Sequence, residues 1–158
     1  MLILGIDPGT ADTGFGVIKC SRTEIKLVDY GKIQTSNKDS SSKRLDLIYE
    51  QATTIIRKHK PQVLAIESLF FNANAKSASA VGQAIGVIKL AAAKKKIEVF
   101  EYAPLKVKMS LTKNGRAEKR QVQSEVRKAL RVRKIPRPTH AADALAVAIC
   151  HWQETRKK

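Results

Sequence analysis

The run Leu2-Ile3-Leu4-Gly5-Ile6 is apolar and stops on Asp7, ahead of Pro8-Gly9-Thr10. Val63-Leu64-Ala65-Ile66 repeats the pattern and stops on Glu67. Short apolar runs of this kind read as strands buried on both faces, the signature of an α/β sheet. A strand that ends in an acid carries a charge to the edge of its sheet, which is costly unless the charge is paired or bound to metal. A further acid follows near the C-terminus, where His140-Ala141-Ala142-Asp143 opens an otherwise apolar helix. His140 and Asp143 are three apart, so both lie on one face. Acids from distant parts of one chain can therefore meet at a single sheet edge.

The rest of the pattern supplies that sheet. Gly14 to Ile18 reads as a second strand after a turn built by Pro8, Gly9 and Asp12. Glu24 to Thr35 reads as a third, with Ile25, Leu27, Val28 and Ile33 alternating and an irregularity at Gly31. These three are expected to form an antiparallel meander. A helix over Ser42 to His59 carries Leu45, Ile48, Ala52, Ile55 and Ile56 on one face. Val63 to Glu67 is then entered from a helix, which predicts a strand parallel to the first. A loop from Phe70 to Asn74 with adjacent aromatics precedes a helix over Lys76 to Lys95. Ile97 to Tyr102 is the fifth strand, and Pro104 starts a short helix. A basic loop over Thr112 to Glu118 leads to an amphipathic helix, Lys119 to Arg131. Arg133 to Thr139 is an extended connector with Pro136 and Pro138. Thr139 caps a last helix from His140 to about Gln153, followed by a frayed tail from Thr155. The expectation is one α/β domain over residues 1–158, a mixed five-stranded sheet with helices on both faces.

Charge points to the partner. Lys and Arg number 30 against 14 Asp and Glu, a net charge of +16. An excess of this size favours a polyanion, nucleic acid first. No membrane partner is expected: no helix pairs a basic face with a bulky aromatic one. The apolar stretch Val81 to Ala93 is broken by Gln83 and Lys89 and falls short of the ~20 residues a span requires. No leader pattern opens the chain, so a cytoplasmic protein is expected. Cys20 and Cys150 lack metal-type spacing and read as reduced thiols. His59 and His151 read as structural or surface residues.

Each acid has a plainer reading. Asp7 could cap the turn at Pro8-Gly9. Glu67 is followed by Ser68, not by a helix it could cap. Asp143 suits a helix N-terminus, which a charged His140 does not. Three carboxylates sharing a pocket repel one another unless cations neutralise them. Oxygen ligands with one imidazole suit magnesium, or manganese, better than zinc. Two such ions about 3.5–4 Å apart can activate a water and stabilise a leaving oxygen in phosphodiester cleavage. Asp7, on the central strand, is best placed to bridge them.

Leu4-Gly5-Ile6-Asp7-Pro8-Gly9-Thr10 with Gly14-Phe15-Gly16, then Ile66-Glu67, then His140-Ala141-Ala142-Asp143-Ala144 resembles the RuvC family of bacterial Holliday junction resolvases. Ala80 to Gly86 and Asn114 to Lys119 also look like segments of that family. The ordered set covers nearly the whole chain. The resemblance implies a ribonuclease H-like fold and a homodimer whose two sites nick opposing strands of a four-way junction. It implies two magnesium ions per site, held by Asp7, Glu67, His140 and Asp143 as catalytic ligands. Some members carry an acid where this chain has His140. By the same resemblance Phe70 stacks on or wedges between bases at the junction centre; its neighbour Phe71 is expected to pack into the core or the dimer interface. Lys108 and Lys119 match basic positions near the scissile phosphate. A branch-migration motor of the RuvA–RuvB type is implied as partner.

Small residues on the helix over Lys76 to Lys95 (Ala80, Ala84, Val87 and Ala91, with Gly82 and Gly86 nearby) suggest a close two-fold helix contact. Other readings are narrower fits. Asp-Pro-Gly-Thr also resembles the phosphate motif of actin-like ATPases, which need a second domain. A nuclease of the same fold acting on RNA or stalled forks is another reading. A non-catalytic junction-binding protein is the alternative from a different class, and retention of all four site residues speaks against it.

Overall fold

The computed structural model describes residues 1–69, 74–134 and 136–157. Strands β1 (Leu2–Asp7), β2 (Asp12–Cys20) and β3 (Ile25–Gln34) come first, followed by α1 (Ser41–His59) and β4 (Val63–Glu67). Then come α2 (Ala75–Ala93), β5 (Glu98–Tyr102), α3 (Pro104–Thr112), α4 (Lys119–Ala129) and α5 (Thr139–Thr155). The strands form one mixed sheet in the order β3-β2-β1-β4-β5. β1 to β3 are an antiparallel meander, and β4 and β5 join parallel to β1. The expected mixed sheet is the observed one, with β1 at its centre.

The period of 2 along each strand sorts the sheet into two cores. Leu4, Ile6, Leu64 and Ile66 point to one face and pack with Ile48, Ile56, Ala84 and Ile88 of α1 and α2. Ile3, Ile18, Val63 and Ala65 point to the other and pack with Val122 and Val126 of α4 and Leu145 and Ile149 of α5. Asp7 and Glu67 continue the second alternation, so both carboxylates leave the sheet on the α5 side.

α5 lies close against that face because both surfaces are small. A Cβ placed on Gly5 would stand 2.1 Å from the carbonyl oxygen of Ala144, and one on Gly14 would stand 1.9 Å from that of His140. Only glycine admits so close a backbone. On the helix, Ala141, Ala144 and Ala148 are fully buried. The glycine seat therefore fixes where the first turn of α5 meets the end of β1.

Several details differ from the sequence expectation. The irregularity in β3 is not at Gly31, which pairs with Phe15 in register. It lies at Val28, the residue skipped where Val17 pairs with Asp29 and Ile18 with Leu27. Gly31 is small because the Phe15 ring lies over it, 2.8 Å from where a Cβ would be. Thr139 does not cap α5; Pro138 holds the N-cap position, after a cis Arg137–Pro138 bond, and Thr139 is already helical. Thr155 ends α5 and is not part of a frayed tail. The small face of α2 is turned inward: Ala84 and Ala91 are buried in the core, and the exposed stripe of the helix is Ser79, Gln83, Gly86 and Leu90. Ala84 and Ala91 serve close packing on α1 and the sheet, while Ala80, Gly82 and Val87 are half-buried and Gly86 is exposed. Among the described residues no helix is long and apolar enough to cross a membrane.

Candidate active site

Sequence-distant acids meet at the C-terminal edge of β1 and β4. Ile6 pairs with Ile66, so Asp7 and Glu67, one residue on, leave neighbouring parallel strands at the same level and on the same face. The first turn of α5 brings His140 and Asp143 to them. Asp7, His140 and Asp143 each offer a ligand atom, and these atoms lie within 4.8 Å of one another. Glu67 falls outside that tight set and stands at its border, lining a cleft of about 220 Å³ with Asp143, Lys108 and Lys119.

Asp7 does not cap the turn that follows it. Its Oδ2 lies 3.1 Å from Nδ1 of His140. The turn is held by Thr13, which is fully buried and donates its hydroxyl to the Gly9 carbonyl at 2.7 Å. This frees the Asp7 carboxylate to face the site.

Burial without enough positive charge sets the electrostatics. Burial pushes the Glu67 carboxyl up to about 8, with the Asp7 and Asp143 charges adding to the rise and Lys119 opposing it. Burial raises Asp7 too, partly offset by its hydrogen bond to His140, while Asp143 raises it further. Lys119 supplies the nearest compensating charge: Nζ lies 2.6 Å from Oδ2 of Asp143. Lys119 is the first residue of α4, whose start is fixed by a capping box between Glu118 and Gln121. Carboxylates held above their usual range are strong acceptors for a divalent cation, which replaces the proton and relieves the repulsion. The donor set is hard oxygen with one imidazole, and it fits magnesium or manganese.

The structure thus gathers Asp7, His140, Asp143, Glu67, Lys108 and Lys119 around one edge. Phe70 and Phe71 lie outside the described residues. The remaining histidines are elsewhere. His59 Nε2 bonds Asp29 at 2.8 Å, and the buried His151 bonds the Tyr102 hydroxyl at 2.7 Å. The Lys119–Asp143 pair is invisible to sequence reasoning. Sequence marks Lys119 as a basic residue opening an amphipathic helix and matching a position near the scissile phosphate, but not as the partner of Asp143.

The sequence profile of the family described as crossover junction endodeoxyribonuclease RuvC matches residues 3–151. The crossover junction endodeoxyribonuclease RuvC of Rubrobacter xylanophilus is 50% identical over 150 residues, covering 95% of this chain and 84% of that protein. The protein of the same name from Natranaerobius thermophilus is 46% identical, covering 99% and 97%. The solved structure of Thermus thermophilus RuvC in complex with a Holliday junction substrate superposes with a TM-score of 0.91 at 30% identity, over 99% of this chain and 96% of that one. The shared architecture is the ribonuclease H-like α/β fold.

Proposed function

The chain belongs to the RuvC family of crossover junction endodeoxyribonucleases, and we propose that it resolves Holliday junctions by paired, symmetric nicks in two opposing strands during recombination and repair. The observation that carries this reading is the convergence of Asp7, His140 and Asp143 within 4.8 Å, with Glu67 beside them. A non-catalytic junction binder has no use for carboxylates held up by burial at a basic surface.

Asp7, Glu67, His140 and Asp143 hold the metal in this reading. Two magnesium ions held there, or manganese in their place, would supply an activated water and stabilise charge on the leaving oxygen. The chain's own residues do the rest. The contact of the His140 ring with Asp7 keeps it turned toward the site. Lys119 balances Asp143 and, with Lys108 across the cleft, attracts the scissile phosphate. Phe70, outside the described residues, is the aromatic that stacks on an unpaired base at the junction centre in this reading, a contact of roughly 1–3 kcal/mol.

Paired cuts need paired sites. The protein acts as a homodimer of one nuclease domain, residues 1–158, each copy facing one strand of a near-symmetric junction. The stripe Ser79, Gln83, Gly86 and Leu90 on α2 is the helix surface free for that contact. It works in the cytoplasm beside a branch-migration motor of the RuvA–RuvB type.

The test is cleavage of a labelled four-way junction with a mobile core, beside a linear duplex of the same sequence. Symmetric nicks on the junction alone, abolished by EDTA, support the reading. Tight junction binding without nicks in magnesium or manganese would leave a binding module.

A further inference from the structure

A second basic feature lies away from the acids. Tyr30 of β3, Arg127 of α4, and Arg133, Lys134 and Arg137 of the connector line a groove of about 570 Å³. None of its four cations forms an ion pair among the described residues, whereas Lys32, Lys43, Lys58, Lys106 and Lys119 each reach an acid within 2.9 Å. Arg133, Lys134 and Arg137 are exposed, and Tyr30 is 39% exposed. Four like charges held together unpaired are unfavourable in the free protein and are relieved by a polyanion.

The backbone builds this groove. The bulge at Val28 shifts the alternation of β3, so Tyr30 pairs with Gly16 and faces the α5 side as Leu27 does. A regular strand would have sent Tyr30 to the α1 side, where Asp29 meets His59. Arg137 lies two residues before the start of α5 at Thr139 and three before His140. The groove and the acidic site therefore share one segment of chain. Gly16, beside Tyr30, and Gly14, beside Asp7, are two residues apart on β2, roughly 7 Å along the sheet. Two strand spacings, about 10 Å, separate β3 from β1. The groove is within half a turn of duplex from the acids.

We propose that the groove lined by Tyr30, Arg127, Arg133, Lys134 and Arg137 holds the phosphate backbone of a junction arm, fixing the register of the strand that reaches Asp7. The proposal rests on the junction-cutting reading above. Phosphate contacts position a duplex without reading its sequence, which suits unpaired guanidinium and ammonium groups around one flat aromatic.

The experiment measures junction affinity against salt concentration in calcium, where cutting is suppressed. Variants are Arg127→Gln/Arg133→Gln/Lys134→Gln, Arg137→Gln alone, and a control of equal charge, Lys94→Gln/Lys95→Gln/Lys96→Gln, at the far end of the sheet. Each phosphate that the protein no longer neutralises lowers the slope of log K against log salt by about 0.9. The groove triple is expected to lower the slope by about 2–3 and Arg137→Gln by about 1, both spreading the cut over neighbouring positions in magnesium, while the control keeps its slope within about 0.5 of wild type and its cut positions unchanged. Thermal melts check that each variant folds, and Arg137→Gln carries the test if the triple does not. If the folded groove variants keep the wild-type slope, the groove does not hold DNA and an acidic protein surface is the better occupant. A wild type that fails to prefer a junction over duplex refutes the function reading; a wild type that cuts, beside an unaffected groove variant, refutes this inference alone.

Discussion

Nδ1 of His140 stands 3.1 Å from Oδ2 of Asp7, a contact between residues 133 positions apart in the chain. It joins the central strand to the first turn of α5 at the point where the acids meet. In the proposed site His140 is a ligand, and a carboxylate can replace it in that duty. His140→Ala is expected to slow single-turnover junction cleavage by about 100-fold or more, since each tenfold is only about 1.36 kcal/mol of barrier. His140→Asp is expected to recover most of that loss. Equal failure of both variants, with folding intact, would show that the imidazole has a duty a carboxylate cannot perform.

Asp7→Asn separates binding from chemistry. The variant keeps the shape of the side chain and removes the charge at the centre of the cluster, while the basic surface is untouched. Junction affinity is expected to stay within about threefold of wild type and cleavage to fall below detection. A gel-shift titration beside a cleavage time course checks both. Loss of binding in a folded Asp7→Asn protein would mean that metal bridges protein to DNA already in the ground state.

The raised carboxyls give a pH dependence with a definite sign. The Glu67 carboxyl titrates at about 8 in the folded protein against an ordinary 4.5. Below 4.5 it is protonated folded or unfolded and contributes no pH dependence. Between 4.5 and 8 the unfolded chain releases the proton and the folded chain keeps it, so stability falls as pH rises through that window. Asp7, also raised, adds in the same direction. Without divalent metal the melting temperature of wild type is expected to drop between about pH 5 and 8 relative to Glu67→Gln. Magnesium binds the deprotonated form, so it should raise the melting temperature more at about pH 8 than at about pH 5. Parallel melting curves for wild type and Glu67→Gln across the range would contradict the shift.

The acids were legible because each closes a buried strand or opens a buried helix, where an unpaired charge has few structural excuses. The meander of the first three strands was legible too, as was the parallel pairing of β4 with β1, since a helix leads into β4. The bulge at Val28 was not: Gly31 drew the irregularity because glycine is the usual mark of one, yet its smallness serves the Phe15 ring. The inward turn of Ala84 and Ala91 was hidden for a related reason. Small residues favour close approach without saying to what. The groove around Tyr30 needed the fold, because its cations come from a helix end and a proline-rich connector that look like ordinary solvated charge in sequence.

Lys119 tunes the acids from across the cleft. Its ammonium, 2.6 Å from Asp143, is the one cause that pulls the Glu67 carboxyl down. Lys119→Ala should leave Glu67 protonated to higher pH and shift the rising limb of the cleavage profile in that direction, with a loss of about 10- to 100-fold at neutral pH. Lys119→Arg keeps the charge and should move the profile back. A profile that keeps its midpoint in Lys119→Ala, with only its height reduced, would assign Lys119 to phosphate binding alone.

The glycine seat under α5 makes the last prediction. At Gly14 an added methyl meets the His140 carbonyl at 1.9 Å, and backbone cannot swing aside as a long side chain can. Gly14→Ala must push the first turn of α5 off the sheet, the same turn that carries His140 and Asp143 to Asp7. Overpacking of this kind destabilises by about 1–3 kcal/mol. The larger effect is expected in cleavage, because even a small displacement of that turn draws the ligand atoms apart. Gln51→Ala on the exposed face of α1 is the control: it touches neither the glycine seat nor α2, and both residues favour helix. Denaturant midpoints and single-turnover rates for the two variants decide the point. A Gly14→Ala protein with wild-type rate and stability would mean that α5 is placed by its alanine contacts with the rest of the core and not by the glycines of β1 and β2.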